Sequence, residues 1–128
     1  YTMEDAQWWI STGCHDGIMR LIEKDGVFVG AVGALFGKDE KRKQFGIGYW
    51  LGEPYWRQGI AAKALTLFVD ELFATTDVER LQAWVYSENI ASARVLEKAG
   101  FTRDAVLRNA LYKHGKLYDE LVYSRLRP

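Results

Sequence analysis

The sequence predicts a mixed α/β (α+β) domain whose sheet is mostly antiparallel, with one parallel strand pair at its centre. Three observations predict it. Asp25-Gly26 lies between two strand-like runs as a two-residue hairpin signal. A helical stretch over residues 57–74 separates two further strand runs, which favours pairing those strands in parallel. His114-Gly115 sits between two last strand runs as a closing hairpin. At 128 residues the chain suits one domain with one core, taken as 1–128.

The elements follow in order. Residues 3–12 are expected to form a short helix with Trp8 and Trp9 near its end, stopped by Gly13 and Asp16-Gly17. Residues 18–24 alternate, with Ile18, Arg20, Ile22 and Lys24 on one face. Residues 27–36 form the partner strand. Residues 37–43 are polar and form a turn, and 44–51 form the third strand of an antiparallel meander. In the helix over 57–74, Ala61, Leu65, Phe68 and Leu72 recur at helical spacing as one buried stripe. Leu81, Ala83 and Val85 alternate along a strand over 80–86. A second helix over 89–99 ends at Gly100, the C′ residue, with Phe101 as its apolar contact. Residues 101–111 and 116–125 close the sheet.

Composition narrows the function classes. Hydrophobic residues make up 48% and charged residues 27%, the balance of a globular domain. The 17 basic and 17 acidic residues cancel, which argues against a nucleic-acid partner. The short basic run Lys38, Lys41, Arg42 and Lys43 is expected to be a solvated hairpin tip rather than a binding patch. No apolar run is long enough to span a bilayer, so no membrane partner is expected. Cys14 is the single cysteine, so an internal disulfide is impossible and a reducing, cytoplasmic setting is expected. Its neighbour His15 does not face it, which weighs against a cysteine nucleophile. The first residue is Tyr, as in a fragment or a processed product.

Three segments carry chemistry. In the strand over 44–51, Gly46 and Gly48 stand two apart. Such glycines mark either a bulge that splays the strand from its parallel neighbour, or relief of crowding against Tyr49 and Trp50. A splayed strand leaves N–H and C=O groups near Tyr49, Trp50 and Leu51 open to an extended, amide-containing ligand arm. Residues 56–62, Trp56-Arg57-Gln58-Gly59-Ile60-Ala61-Ala62, then open a helix. A first helical turn has free N–H groups and the positive end of the macrodipole, and small residues let an anion approach. Arg57 and Gln58 add donors suited to phosphate. The segment is neither a P-loop nor a dinucleotide fingerprint, since the other required residues are missing. A diphosphate on a long arm fits both parts, and coenzyme A is such a ligand. In the third segment, Asn89 and Ser92 are either an N-cap pair or residues facing the cleft between the parallel strands.

The run Gly48-Tyr49-Trp50-Leu51, then Tyr55-Trp56-Arg57-Gln58-Gly59-Ile60-Ala61, then Asn89-x-x-Ser92 ending in Ala99-Gly100-Phe101, resembles the GNAT superfamily of acetyl-CoA-dependent N-acetyltransferases. Within it the chain is most similar to the subgroup that acetylates N-terminal amines of ribosomal proteins. Tyr118-Asp119 with Val122-Tyr123-Ser124 resembles that subgroup's last strand. The resemblance implies a parallel pair splayed at a bulge and helices on both faces. It implies acetyl-CoA as cofactor, with its pyrophosphate on amides 57–62, its pantetheine along Tyr49, Trp50 and Leu51, and its thioester near Asn89 and Ser92. The family's first strand and first helix look absent. The subgroup often has Glu where this chain has Gly46 and Lys63.

The expected activity is direct transfer of an acetyl group to a primary amine, on a protein N-terminus or a small molecule. Ser92, Asn89 and Tyr118 are the candidate catalytic residues. Glu53, Glu88 and Asp119 are candidate bases, ahead of His114. No metal is expected, and the chain is taken as a monomer or homodimer. The rival reading is a catalytically degenerate acyl-CoA-binding module.

Overall fold

The computed structural model describes residues 16–128. They form β1 (Gly17–Lys24), β2 (Val27–Phe36), β3 (Gln44–Leu51), α1 (Ile60–Thr75), β4 (Arg80–Tyr86), α2 (Ile90–Lys98), β5 (Thr102–Lys113) and β6 (Lys116–Leu126). Short 3-10 turns at Asp39–Lys41 and Glu53–Tyr55 flank β3. The strands make one sheet in the order β1-β2-β3-β4-β6-β5. Only β3 and β4 pair in parallel, as expected from the helix between them. The helix expected over 3–12 and Cys14 lie outside the described residues.

Local chemistry places the turns. Asp25 and Gly26 have φ of 52° and 80°, and His114 and Gly115 have 53° and 75°. Two successive left-handed residues define a turn whose twist matches that of the flanking strands. β5 departs from a simple ladder. Its register against β6 shifts between Arg103 and Ala105 and again between Leu107 and Leu111. At the second shift Asn109 is left-handed, and its N–H donates to Asp119 Oδ1 at 3.0 Å. Bulges of this kind blunt an exposed edge strand.

The two described helices cover the same face of the sheet. One core cluster joins Leu65, Phe68 and Leu72 of α1 and Leu96 of α2 to Phe45, Ile47, Leu81 and Val85 of the central strands. Handedness explains this. The β3–α1–β4 and β4–α2–β5 crossovers both travel the same way along the sheet, so right-handed connections put both helices on one side. Helices on both faces were expected. Among the described residues the arrangement is one-sided.

Arg127 ties the end of the chain to the end of α1. Its guanidinium donates to the carbonyls of Phe73 (2.9 Å), Thr76 (2.7 Å) and Val78 (2.9 Å) and lies 5.3 Å from the Phe73 ring. Phe73 lies in the last turn of α1, whose carbonyls have no intrahelical partner, and Thr76 and Val78 belong to the chain leaving it, so the guanidinium fixes the helix end and its exit together. Its ion pair with the exposed Glu79 adds little. Arg127→Ala is expected to cost about 2–3 kcal/mol and lower the melting temperature by roughly 10 °C. A melt within about 2 °C of wild type would show that water satisfies these carbonyls equally well.

Candidate functional site

β3 and β4 pair only at Gln44↔Arg80, Phe45↔Leu81 and Gly46↔Gln82, and beyond that point they diverge. The expected cause was a bulge. Instead, β3 keeps unbroken register with β2 from Phe36↔Phe45 to Gly30↔Leu51, so the strands part without an extra residue on that side. The backbone groups that face the opening follow from the alternation of an antiparallel ladder. Gly52 N donates to Val29 O at 2.8 Å, so positions 50, 48 and 46 turn toward β2. Tyr49 and Leu51 therefore present their N–H and C=O groups to the opening, while Trp50 pairs with Ala31. One of these groups is engaged: the Trp56 indole donates to the Leu51 carbonyl at 2.7 Å.

The two glycines of β3 play different parts. A Cβ on Gly46 would stand 3.4 Å from the Trp84 ring, whereas one on Gly48 would meet nothing within 4 Å. Trp84 would thus stand at ordinary contact distance from a Cβ at position 46, nothing crowds position 48, and neither Tyr49 nor Trp50 presses on either glycine.

The opening widens into a cleft of about 800 Å3. One wall is the start of α1. The helix begins at Ile60 rather than at residue 57, because Arg57 and Gly59 adopt left-handed φ of 64° and 75°. No side chain caps this end, so the amides of its first turn are left for a ligand or water. Left-handed residues beside a helix start curve the backbone into a concavity lined by N–H groups. Trp56, Arg57, Gly59, Ile60, Ala61 and Ala62 all line the cleft. Gln58 does not. Its side chain accepts from Lys24 (2.7 Å) and donates to the Pro54 carbonyl (3.0 Å), bracing the turn from outside.

The facing wall is the start of α2. Asn89 Oδ1 accepts from Ser92 N at 3.1 Å, so Asn89 is an N-cap; both residues also line the cleft. The two sequence readings of this pair hold together. Ser92 Oγ lies 2.8 Å from the Tyr49 hydroxyl, a bond that joins α2 to β3 across the opening. Burial pushes the Tyr49 phenol above its ordinary range, against the weaker opposing pull of Ser92. Arg94, Val95 and Lys98 extend this wall, and Tyr55 closes the floor. Sequence reasoning missed these four, and Ile90 and Ala91 of the same lining. Spacing alone did give a signal, since Arg94 and Lys98 stand four apart and so share a helical face.

Tyr118 lies outside the cleft lining and packs edge-on against Tyr86, with centroids 5.5 Å apart. The candidate bases are elsewhere too. Asp119 is committed to the β5 bulge, Glu53 and Glu88 are exposed, and His114 is in the far hairpin turn. Among the described residues, no Asp, Glu or His lines the cleft.

Comparison with known proteins follows the same outline. The family model described as Acetyltransferase (GNAT) domain matches residues 1–102. The Bacillus subtilis (strain 168) uncharacterized N-acetyltransferase YoaA is 34% identical over 116 residues, which are 91% of this chain and 64% of that protein. The chain therefore spans less than two thirds of that relative's length. Among solved structures, the RimL ribosomal L7/L12 alpha-N-protein acetyltransferase in complex with coenzyme A superposes with a TM-score of 0.84 at 23% identity, covering 98% of this chain and 73% of that one. The microcin C7 self immunity acetyltransferase MccE in complex with acetyl-CoA and AMP gives 0.81 at 23% identity, covering 98% and 72%. Both likenesses concern the fold. With the family model spanning most of its length, this chain belongs to the GNAT acetyltransferase family.

Proposed function

We propose that this domain is an acetyl-CoA-dependent N-acetyltransferase whose acceptor is an α-amino group, as at a peptide or protein N-terminus. The observation that carries the cofactor reading is the parting of β3 from β4 beside the uncapped first turn of α1. The amides of Ile60, Ala61 and Ala62, with Arg57, would hold the diphosphate. The pantetheine arm would pair with the open edge of β3 at Tyr49, as an added strand does. The structures of RimL and MccE named above, with bound coenzyme A and acetyl-CoA, support this choice of cofactor.

The acceptor class rests on the described cleft lining, which holds no carboxylate or imidazole. An amine attacks only as the free base. An alkyl ammonium with a pKa of ~10.4 is free base in about one molecule in 2,500 at pH 7, whereas an α-amino group with a pKa near 7.8 is free in about one in seven. That difference is worth roughly 3.5 kcal/mol of barrier, which a lysine-type acceptor would require a positioned base to recover. With no carboxylate or imidazole among the described lining, the α-amine is the acceptor this cleft suits.

Transfer then balances simply. The amine nitrogen attacks the thioester carbon, and an amide N–H on the open edge of β3 stabilises the oxyanion. The C–N bond forms, the C–S bond breaks, and its electron pair leaves on sulfur beside Ser92. The surplus proton on nitrogen passes to water, and the thiolate, held beside Ser92, takes a proton from water as it leaves. No covalent enzyme intermediate is formed.

Two measurements test this. Release of free thiol is followed with acetyl-CoA and a panel of N-terminal peptides, polyamines and aminoglycosides. The α-amine peptides are expected to exceed lysine-type amines by about 300-fold in kcat/KM, the ratio of their free-base fractions. A preference for polyamines would refute the acceptor class, and tight coenzyme A binding with no thiol release would leave the domain a binding module. Single-turnover incubation with labelled acetyl-CoA and no amine is expected to leave the protein unlabelled; stable label would refute direct transfer.

A further inference from the structure

We infer that Tyr49 is a positioning residue: its phenol donates to Ser92 Oγ and thereby leaves the Ser92 hydroxyl hydrogen directed into the cleft, as a fixed donor to the coenzyme A sulfur. The inference rests on the cofactor reading above and adds to it a role for a side chain that the sequence counted only for its backbone.

The Tyr49 and Ser92 oxygens are 2.8 Å apart, and either could donate. A phenol is a far stronger acid than an aliphatic alcohol, so it is the better donor, and Ser92 is left to accept. Burial of Tyr49 keeps that phenol protonated. A serine hydroxyl has one hydrogen and rotates freely unless something holds it. In a helix its usual alternative is the carbonyl four residues back. For Ser92 that is Glu88 O, to which its hydroxyl makes no bond, unlike the back-bonded Thr66 and Thr75 of α1. Asn89 Oδ1 is engaged by the Ser92 amide. The Ser92 hydroxyl is bonded to Tyr49, and Ser92 lines the cleft. With its lone pair turned to Tyr49, the remaining hydrogen points at whatever occupies the cleft. A leaving thiolate is the group that gains most from such a donor.

The test reads the sulfur itself and needs no acceptor. Coenzyme A is bound to the full chain, and the thiolate is titrated by its ultraviolet absorbance, with the desulfo-coenzyme A complex as blank. Arg57, Arg94 and Lys98, the charged residues of the described lining, are the same in every variant. Ser92→Ala is expected to raise the thiol midpoint by about one pH unit, the worth of one hydroxyl-to-anion bond. Tyr49→Phe is expected to raise it by at least half as much, and the double variant no further than Ser92→Ala alone. Fluorotyrosine placed at position 49 keeps the shape, strengthens the donor, and is expected to lower the midpoint below wild type. A Tyr49→Phe midpoint equal to wild type, additive shifts in the double variant, or no response to fluorotyrosine would each overturn the inference. Calorimetry beforehand separates this from failure of coenzyme A to bind, which would overturn the cofactor reading and this inference with it.

Discussion

Replacing Gly59 with Val is expected to abolish coenzyme A binding while leaving the domain folded. Gly59 sits at φ 75°, immediately before the first residue of α1, and lines the cleft. A Cβ there would meet nothing within 4 Å of the protein, so the added group would stand in open space at the helix start. That space is where the proposed diphosphate approaches the amides of Ile60 to Ala62. The substitution acts in two ways. The isopropyl group excludes the anion directly. The left-handed conformation, costly by about 1–2 kcal/mol for a residue with a Cβ and more for a branched one, also pulls the chain toward negative φ and turns the amides away. The fold survives because no packed atom is displaced. Gly59→Ala separates the two effects, since it carries most of the strain and little of the bulk. Calorimetry with coenzyme A and a thermal melt together decide. Undiminished affinity in a folded Gly59→Val protein would remove the diphosphate from this end of α1.

A large loss of stability is expected at Gly30, which is buried in β2 beside the parting strands. A Cβ on Gly30 would overlap the Trp50 carbonyl oxygen and stand 3.0 Å from Leu51 Cα and 3.1 Å from the Trp50 carbonyl carbon. These are backbone atoms, and no side-chain rotation relieves them. Either β3 moves off β2 or the central ladder breaks, so Gly30→Ala is expected to cost more than about 3 kcal/mol and lower the melting temperature by 10 °C or more. Because the displaced residues, Trp50 and Leu51, line the cleft, coenzyme A affinity is expected to fall with it. Gly48→Ala is the control. Its Cβ would meet nothing within 4 Å, so its stability is expected to stay within about 1 kcal/mol of wild type. Equal melts for the two variants would mean that β2 and β3 accommodate the extra carbon by a shift the packing does not suggest.

Much of this arrangement was legible in short stretches of chain. The Asp25-Gly26 and His114-Gly115 turns, the buried stripe Ala61, Leu65, Phe68 and Leu72, and the Asn89 cap each depend on residues within a few positions of one another. Steric rules and helical periodicity act over that range, so residue order is enough to settle them. The parallel pairing of β3 with β4 was also within reach, since a helix between two strands leaves little other choice.

The cleft's furnishing was decided only when distant segments met. Whether β3 parts through a bulge or by divergence depends on its ladders with β2 and β4, formed by residues far away in sequence. Gln58 bends outward because Lys24 meets it there, and Tyr118 stays away because Tyr86 offers an edge to pack on. The Tyr49–Ser92 bond spans 43 residues and the Arg127 bonds to α1 about 50. A side chain's direction is chosen by the partner that best satisfies its polar atoms once water is excluded, and for these residues that partner lies on another element. Residue order thus determined the elements, their turns and the start of an anion-binding helix; tertiary packing determined which side chains face the gap and which are spent holding it open.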